Sequence, residues 1–190
     1  VSSNDGYGAY IDDSSDVSLG YFTALGNTLG GLYVSDSENI SVNRASITGN
    51  LADGVYMVNT SGAVIYSGYI AQNSDDGIHA SWLTMYHTYT DNDIYNNDGD
   101  GIQRNASTTD MSAYNTIDGN DIGWNDVGLR MQWQGSQLTD NTISNNDIHD
   151  SDTNGIYMNR WYFNMFDNNF VYDNGAKGIY FDQTVGNTIT

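Results

Sequence analysis

The stretch Gly54–Asp76, GVYMVNTSGAVIYSGYIAQNSDD, is one unit of a repeat, and the next unit opens at Gly77-Ile78-His79-Ala80. Its anchor is a glycine followed by an apolar residue, any residue and usually a second apolar one. The same anchor stands at Gly8, Gly31, Gly54, Gly77, Gly101, Gly128, Gly155 and Gly178, at intervals of 23, 23, 23, 24, 27, 27 and 23 residues. Other columns keep phase with it. Four residues before an anchor stand Asn27, Asn50, Asn73, Asn97 and Asn174, with Ser151 equivalent and Asn125 joining if its turn is one residue short. Seven before stand Ala24, Ile47, Ile70, Ile94, Ile148 and Val171. Within each segment apolar residues fall at i and i+2, as in Ile40 and Val42 or Ala63 and Ile65, which is the alternation of a strand and not of a helix.

A fixed period with three short alternating segments and Asn/Asp/Gly corners predicts a solenoid, one turn per repeat, each strand pairing with its equivalents above and below. Inward side chains then stack like on like, and an inward corner Asn can bond both its own bend and the Asn of the next turn. The anchor glycine is expected to supply a positive φ at a corner. Eight rungs at ~4.8 Å make a rod about 38 Å long.

Composition agrees. Asp accounts for 23 residues and Asn for 24, with 21 Gly and no Pro or Cys, a balance that favours turns and disfavours helix interiors. At 38% hydrophobic and 13% aromatic the chain is too apolar for a solvated tail. Twenty-four acidic against 5 basic residues, a net charge of −19, argue against nucleic acid and against an anionic membrane surface. No apolar run is long enough to insert in a bilayer. Without cysteine there is neither a disulfide framework nor a thiolate metal site.

Phrases such as Asn115-Thr116-Ile117-Asp118-Gly119-Asn120-Asp121-Ile122 and Asn141-Thr142-Ile143-Ser144-Asn145-Asn146-Asp147-Ile148 resemble the repeat of right-handed parallel β-helix proteins of the pectate-lyase-like superfamily. The resemblance covers residues 1–190 and implies an all-β right-handed parallel β-helix of about eight turns in a single domain, extracellular or at the cell surface. It leaves function open, because the fold serves lyases, epimerases, tailspikes and structural surface proteins.

Two functions follow. The chain starts and stops part way round a turn, with Val1 and Asn4 in their repeat columns and Asn187 and Ile189 in the middle of one. Open part-turns of this kind predict a surface protein that stacks end to end through Val1, Asn4, Asn187 and Ile189, its partner being itself. The alternative is a carbohydrate-active module. The second residue after each anchor should face outward, giving the ladder Tyr10, Tyr33, Tyr56, His79, Gln103, Arg130, Tyr157, Tyr180, with Trp82, Trp133 and Arg160 three residues further on. Aromatic platforms around polar groups suit a sugar chain, although stacked tyrosines are also ordinary cross-strand packing.

By resemblance to polyuronate lyases and epimerases, His79 or Tyr56 would take a proton from an acidic polysaccharide and Arg130 would neutralise its carboxylate. Epimerases of this kind carry an Asp-Pro-His segment, which a chain without proline lacks. No cofactor is required by the pattern; calcium could sit among Asp75, Asp76, Asp98 and Asp100. Arg104 stands where an inward residue is expected, by a local change of parity or paired with a buried acid. The two 27-residue turns place their extra residues at 105–115 and 132–141, as adjacent loops.

Overall fold

A computed structural model describes residues 1–106, 113–133 and 140–190. Among these every regular element is a strand, and all strand pairs are parallel. Sheet I has eight strands, running from Tyr7–Asp12 through Gly30–Ser35, Val55–Ser61, Ile78–Met85, Ile102–Ala106, Leu129–Trp133 and Ile156–Asn159 to Ile179–Asp182. Sheet II has eight shorter strands, from Ser18–Gly20 to Thr188–Ile189, and sheet III seven, from Thr23–Leu25 to Phe170–Tyr172. Each sheet pairs only equivalent strands of successive turns, so the chain is a parallel solenoid of between seven and eight turns.

The interior is the set of columns the period implies. Ile47, Ile70, Ile94, Ile122 and Ile148 pair rung to rung in sheet III and are completely buried. Val42, Ile65, Tyr89, Ile117, Ile143 and Phe166 do the same in sheet II. In sheet I the first and third residues after each anchor point inward, as Val55 and Met57 or Leu129 and Met131 do. Arg104 keeps this parity: it pairs in register with Ala80 and Met131, is buried, and donates to the Thr84 carbonyl at 2.9 Å and to its hydroxyl at 2.7 Å. Its charge and the burial of His87 hold that imidazole neutral, with a pKa near 3, burial being the larger cause.

Corners are held by asparagine ladders. The side-chain amide of Asn27 donates to Asn50 Oδ1 at 2.8 Å, Asn50 to Asn73 at 2.8 Å, Asn73 to Asn97 at 2.9 Å and Asn97 to Asn125 at 3.0 Å. The last bond places Asn125 in the column despite the shift in spacing. Each receiving oxygen also takes a backbone N–H of the turn before, such as Asn50 N–H on Asn73. Two further ladders were not separated in the sequence reading: Asn92–Asn120–Asn146–Asn169 and Asn115–Asn141–Asn164–Asn187. A buried amide is tolerated because its oxygen accepts from the turn before and its N–H donates to the turn after.

The anchor glycines depart from expectation. None of the eight has a positive φ; left-handed glycines occur instead at Gly26, Gly49, Gly62, Gly119 and Gly186. What the anchors provide is room. The carbonyl of each accepts the N–H that follows the previous anchor, as Val55 N–H donates to Gly77 O at 2.9 Å. A Cβ on Gly54 would lie 2.6 Å from that same Gly77 oxygen and 2.7 Å from Ile70 Cγ2; one on Gly77 would lie 2.6 Å from both Gly101 O and Ile94 Cγ2. The constraint is close approach of turns, with backbone on one side and the isoleucine stack on the other.

Gly54→Ala is therefore expected to destabilise the fold by about 3 kcal/mol, measured by urea unfolding. Gly20→Ala, where an added Cβ meets nothing within 4 Å, should stay within about 0.5 kcal/mol of the parent. Equal stability of the two variants would refute the close-approach role.

Candidate functional site

The outward column of sheet I is in register over its whole length: Tyr10, Tyr33, Tyr56, His79, Gln103, Arg130, Tyr157 and Tyr180 pair successively. Tyr10 and Tyr33 stack at 4.9 Å with their planes 4° apart, Tyr33 and Tyr56 lie 5.5 Å apart, and His79 meets Tyr56 edge-on at 4.9 Å. Beyond the polar centre, the Arg130 guanidinium lies over Tyr157 at 5.5 Å, and Tyr157 and Tyr180 are 5.4 Å apart. The face is an aromatic strip interrupted by His79, Gln103 and Arg130.

Beside this centre runs an acidic column one residue before successive anchors, which joins Asp76 and Asp100, two of the calcium candidates, to Asp53, which the spacing did not single out. Asp53, Asp76 and Asp100 occupy successive turns. The Asp76 backbone N–H donates to Asp53 Oδ1 at 3.1 Å and the Asp100 N–H to Asp76 Oδ1 at 2.7 Å. Asp76 and Asp100 are buried at 1% and 2% exposure. Two buried like charges one rung apart are expensive, and the structure relieves them in two ways. Arg130 grips Asp100 with Nε at 2.5 Å and Nη2 at 3.2 Å, and reaches Asp126 at 3.3 Å. Asp76, which accepts from Gln103 Nε2 at 2.5 Å, is pushed up to a pKa of about 7, first by burial and then by the charge of Asp100. Burial also raises Asp100, while Arg130 pulls it back.

His79 faces this column. Its Nδ1 is 3.3 Å from Asp76 Oδ2 and 3.7 Å from Asp53 Oδ2, and Nε2 is 3.3 Å from the Asn105 amide, which in turn donates to Gln103. Burial works to lower the imidazole pKa, but the hydrogen bond and charge of Asp53, with Asp76 and Asp75, outweigh it and raise the value. The centre thus pairs a carboxyl pushed up to about 7 with an imidazole raised by the carboxylates beside it. A cleft of about 340 Å³ opens here, lined by Asp75, Asp76, Asp100, Gln103, Asp126 and Arg130 among others.

The remaining sequence-derived positions lie elsewhere. Trp82 stands at a bulge where pairing shifts between Ser81 and Thr84, exposed and with φ 65°. Arg160 is exposed at the corresponding corner with φ 58° and donates to Gln183 at 3.1 Å. Trp133 ends its strand, and its side chain, like residues 107–112 and 134–139 of the expected loops, lies outside the described residues. Of the four aspartates considered for calcium, Asp75 and Asp98 are exposed. Among the described residues the group able to hold a metal ion is instead Asp53, Asp76 and His79, whose ligand atoms lie within 4.8 Å of one another. With a nitrogen among three donors, this group does not match the all-oxygen shell of six to eight ligands that calcium takes. Asn4 donates to Asn27 at 2.7 Å and Asn187 accepts from Asn164 at 2.9 Å, so both close ladders within the chain; Val1 and Ile189 are exposed.

The sequence matches the model of the right-handed β-helix region over residues 1–139 and 84–190. No curated protein matches it. Among solved structures it is similar to a double mutant of the periplasmic alginate epimerase AlgG (TM-score 0.71, 14% identity, 88% of this chain and 50% of that one). It is also similar to the enzymatically active domain of bacteriophage CBA120 tailspike protein 2 (TM-score 0.67, 12% identity, 99% and 35%). A third is the A-module of the Azotobacter vinelandii mannuronan C-5 epimerase AlgE6 (TM-score 0.57, 16% identity, 95% and 63%). The chain spans half the length of the first of these and about a third of the second, and at these identities the likeness is one of fold.

Asp76 makes stability depend on pH. Its folded pKa lies above the ordinary value, so the stabilisation from its proton is complete below about pH 4 and lost as pH rises through about 7. Asp76→Asn, which keeps an oxygen for the Asp100 N–H, is expected to be more stable than the parent at pH 8 by about 2 kcal/mol and to lose that advantage at pH 4. Melting curves at the two pH values check this; a gain that does not change with pH would show that Asp76 is ionised throughout.

Proposed function

The chain belongs to the right-handed β-helix family, and because its fold is similar to those of an alginate epimerase and a mannuronan C-5 epimerase, we propose that it binds a polysaccharide along the outer face of sheet I and carries out proton transfer on it at His79 and Asp76. The observation that carries this reading is the unbroken register of the outward column, which sets the His79–Gln103–Arg130 centre between tyrosine platforms and against a buried acidic column. Tyr33 and Tyr56 on one side and Tyr157 and Tyr180 on the other line the path of successive sugars with aromatic surface, one face of Tyr33 being taken by Tyr10 and one of Tyr180 by Lys177. Asp76, with its carboxyl pushed up to about 7, and His79, raised by Asp53 and Asp76, are the groups placed to exchange a proton with a bound sugar. Arg130 orients Asp100 and Asp126, so its charge is met inside the protein and a sugar carboxylate would compete with both.

That competition bears on the substrate. Asp53, Asp76, Asp100 and Asp126 against His79 and Arg130 make a centre that repels polyanions, which favours a residue without a carboxylate over the reacting position. A second reading keeps an acidic polysaccharide, with a divalent cation bridging a sugar carboxylate to the Asp53–Asp76–His79 group. The spacing of those three ligand atoms favours it. The periplasmic setting of the alginate epimerase supports a place outside the cytoplasm. Both readings rank ahead of end-to-end assembly, because the similar solved structures include an alginate epimerase and a mannuronan C-5 epimerase.

Calorimetric titration of the protein with neutral and uronate oligosaccharides, each with and without Ca²⁺ or Mn²⁺, separates these readings, and product analysis on the same mixtures reads turnover. Tyr33→Ala and Tyr157→Ala are each expected to weaken binding roughly tenfold, and His79→Ala to abolish turnover while binding persists. Failure of every saccharide to bind, or binding indifferent to both tyrosines, would overturn the proposal. Uronate binding that requires the cation would select the second reading.

A further inference from the structure

The outer face of sheet III carries a second organised array, remote from the sheet I ladder in the turn and unused by the chemistry above. Its strands are three residues long with the middle one buried, so the first and third residues of each face outward. The first residues Asp93, Asp121 and Asp147 pair rung to rung, and so do the third residues Tyr95, Gly123, His149 and Tyr172. A file of three carboxylates therefore runs beside a file of rings.

The rings form one continuous surface. Tyr95 lies 5.5 Å from Trp124, Trp124 meets His149 edge-on at 5.0 Å and 89°, His149 stacks on Tyr172 at 5.2 Å and 17°, and Phe170 lies 4.9 Å from Tyr172. His149 is fixed by bonds of 2.9 Å to Asp121 and 2.9 Å to Asp150. It lies flat because Gly123 is beneath it: a Cβ there would stand 2.6 Å from His149 Cε1. Trp124 and Phe170 remain 51% and 67% exposed on this support; the φ of 54° at Trp124 is that of its corner in the other turns, as at Gln72, Asn96, Asp150 and Asp173. Large exposed rings on a rigid base, beside a file of carboxylates, form a surface with a use beyond packing. One oxygen of Asp147 is buried without a hydrogen-bond partner.

Charge fixes the kind of ligand. Asp93, Asp121, Asp147 and Asp150 stand against His149 alone. Each of the five cationic side chains of the protein is placed elsewhere: Arg44 over Tyr21, Arg104 in the core, Arg130 on Asp100, Arg160 on Gln183 and Lys177 over Tyr180. The face rejects polyanions, and a neutral sugar would leave its charge unanswered. Rings take the apolar face of a pyranose and attract a cation, and carboxylates pair with an ammonium. We infer that the Trp124–Tyr172 face of sheet III is a second saccharide site, for a glycan whose sugars carry free amino groups. Three rung spacings of about 4.8 Å separate Tyr95 from Tyr172, a span of roughly 14 Å, room for more than one sugar.

The test is titration at pH 6 with glucosamine oligomers, their N-acetylated counterparts and oligouronates, followed by calorimetry and by quenching of tryptophan fluorescence. The amino-sugar oligomer is expected to bind at least tenfold more tightly than the acetylated one, the uronate not to bind, and Trp124→Ala and the double variant Asp121→Asn/Asp147→Asn each to lose at least tenfold in affinity. His79→Ala and Tyr33→Ala, on sheet I, should bind the amino-sugar oligomer as the parent does. Trp124 is exposed, so its variant should melt with the parent, which a parallel melting curve checks. Equal binding by Trp124→Ala and the parent would reduce the effect to attraction of a polycation by a net charge of −19 and overturn the site, as would acetylated oligomers binding equally well. Loss of binding in the sheet I variants alone would assign the ligand to the other face.

Discussion

Parallel pairing between turns, in register but for the bulge at Ser81–Thr84, is the constraint on which the rest of the structure depends. Every strand finds its hydrogen bonds one turn away, so whatever occupies a position in one turn lies within a few ångströms of its equivalents. Inward this yields the isoleucine stacks and the asparagine ladders. At the anchors it forces glycine, since the carbonyl that receives the inter-turn bond occupies the place a Cβ would need. Outward it turns a repeated position into a line of side chains held at fixed intervals. A β-helix thus produces linear arrays from sequence periodicity alone, and linear arrays suit linear polymers.

That constraint also decides what was legible in the sequence. The anchors, the first asparagine column and the buried isoleucines follow from spacing, and with them the fold and the outward ladder from Tyr10 to Tyr180. Spacing says where a side chain sits but not the physical reason, so the glycines were expected at left-handed corners when their role is close approach. The acidic column Asp53–Asp76–Asp100 was written in the sequence just as regularly, yet aspartate before glycine is also ordinary turn chemistry. Only burial, which separates Asp76 and Asp100 from the exposed Asp75 and Asp98, distinguishes them. The sheet III array was harder still. Its strands give three residues of alternation, and Trp124 and Asp150 belong to the corners beside them, so its rings come together only once Gly123 and His149 are superposed across turns.

The strain in the two arrays differs in kind. In sheet I it is electrostatic: two buried carboxyls one rung apart, relieved by the Arg130 grip on one and by a retained proton on the other. The retained proton would not be needed if Asp76 were asparagine, the residue that fills other buried positions of this fold. A carboxyl retained at such cost, beside an imidazole and between aromatic platforms, has the properties of a group kept for its proton. In sheet III the carboxylates are only partly withdrawn from water, and the cost falls on rings left exposed instead.

Rigidity links the two. A solenoid whose turns share backbone bonds, side-chain ladders and stacked cores has no hinge between its faces, and a ligand on sheet III cannot remodel the centre on sheet I by moving one body against another. What the frame can do is hold two polymer-binding lines at a constant angle around one axis. Occupancy of the second line then acts on the first through local concentration alone: a chain or matrix tethered at Trp124 raises the effective concentration of its own segments at His79 without changing the chemistry there. The charges refine this further. An ammonium-bearing glycan on sheet III would offset part of the excess negative charge that otherwise repels anionic sugars from the Asp53–Asp76–His79 centre. Coupling of that origin weakens as salt shortens the screening length, whereas coupling by tethering does not, so the salt dependence of any cooperativity between the faces reports which of the two physical causes operates.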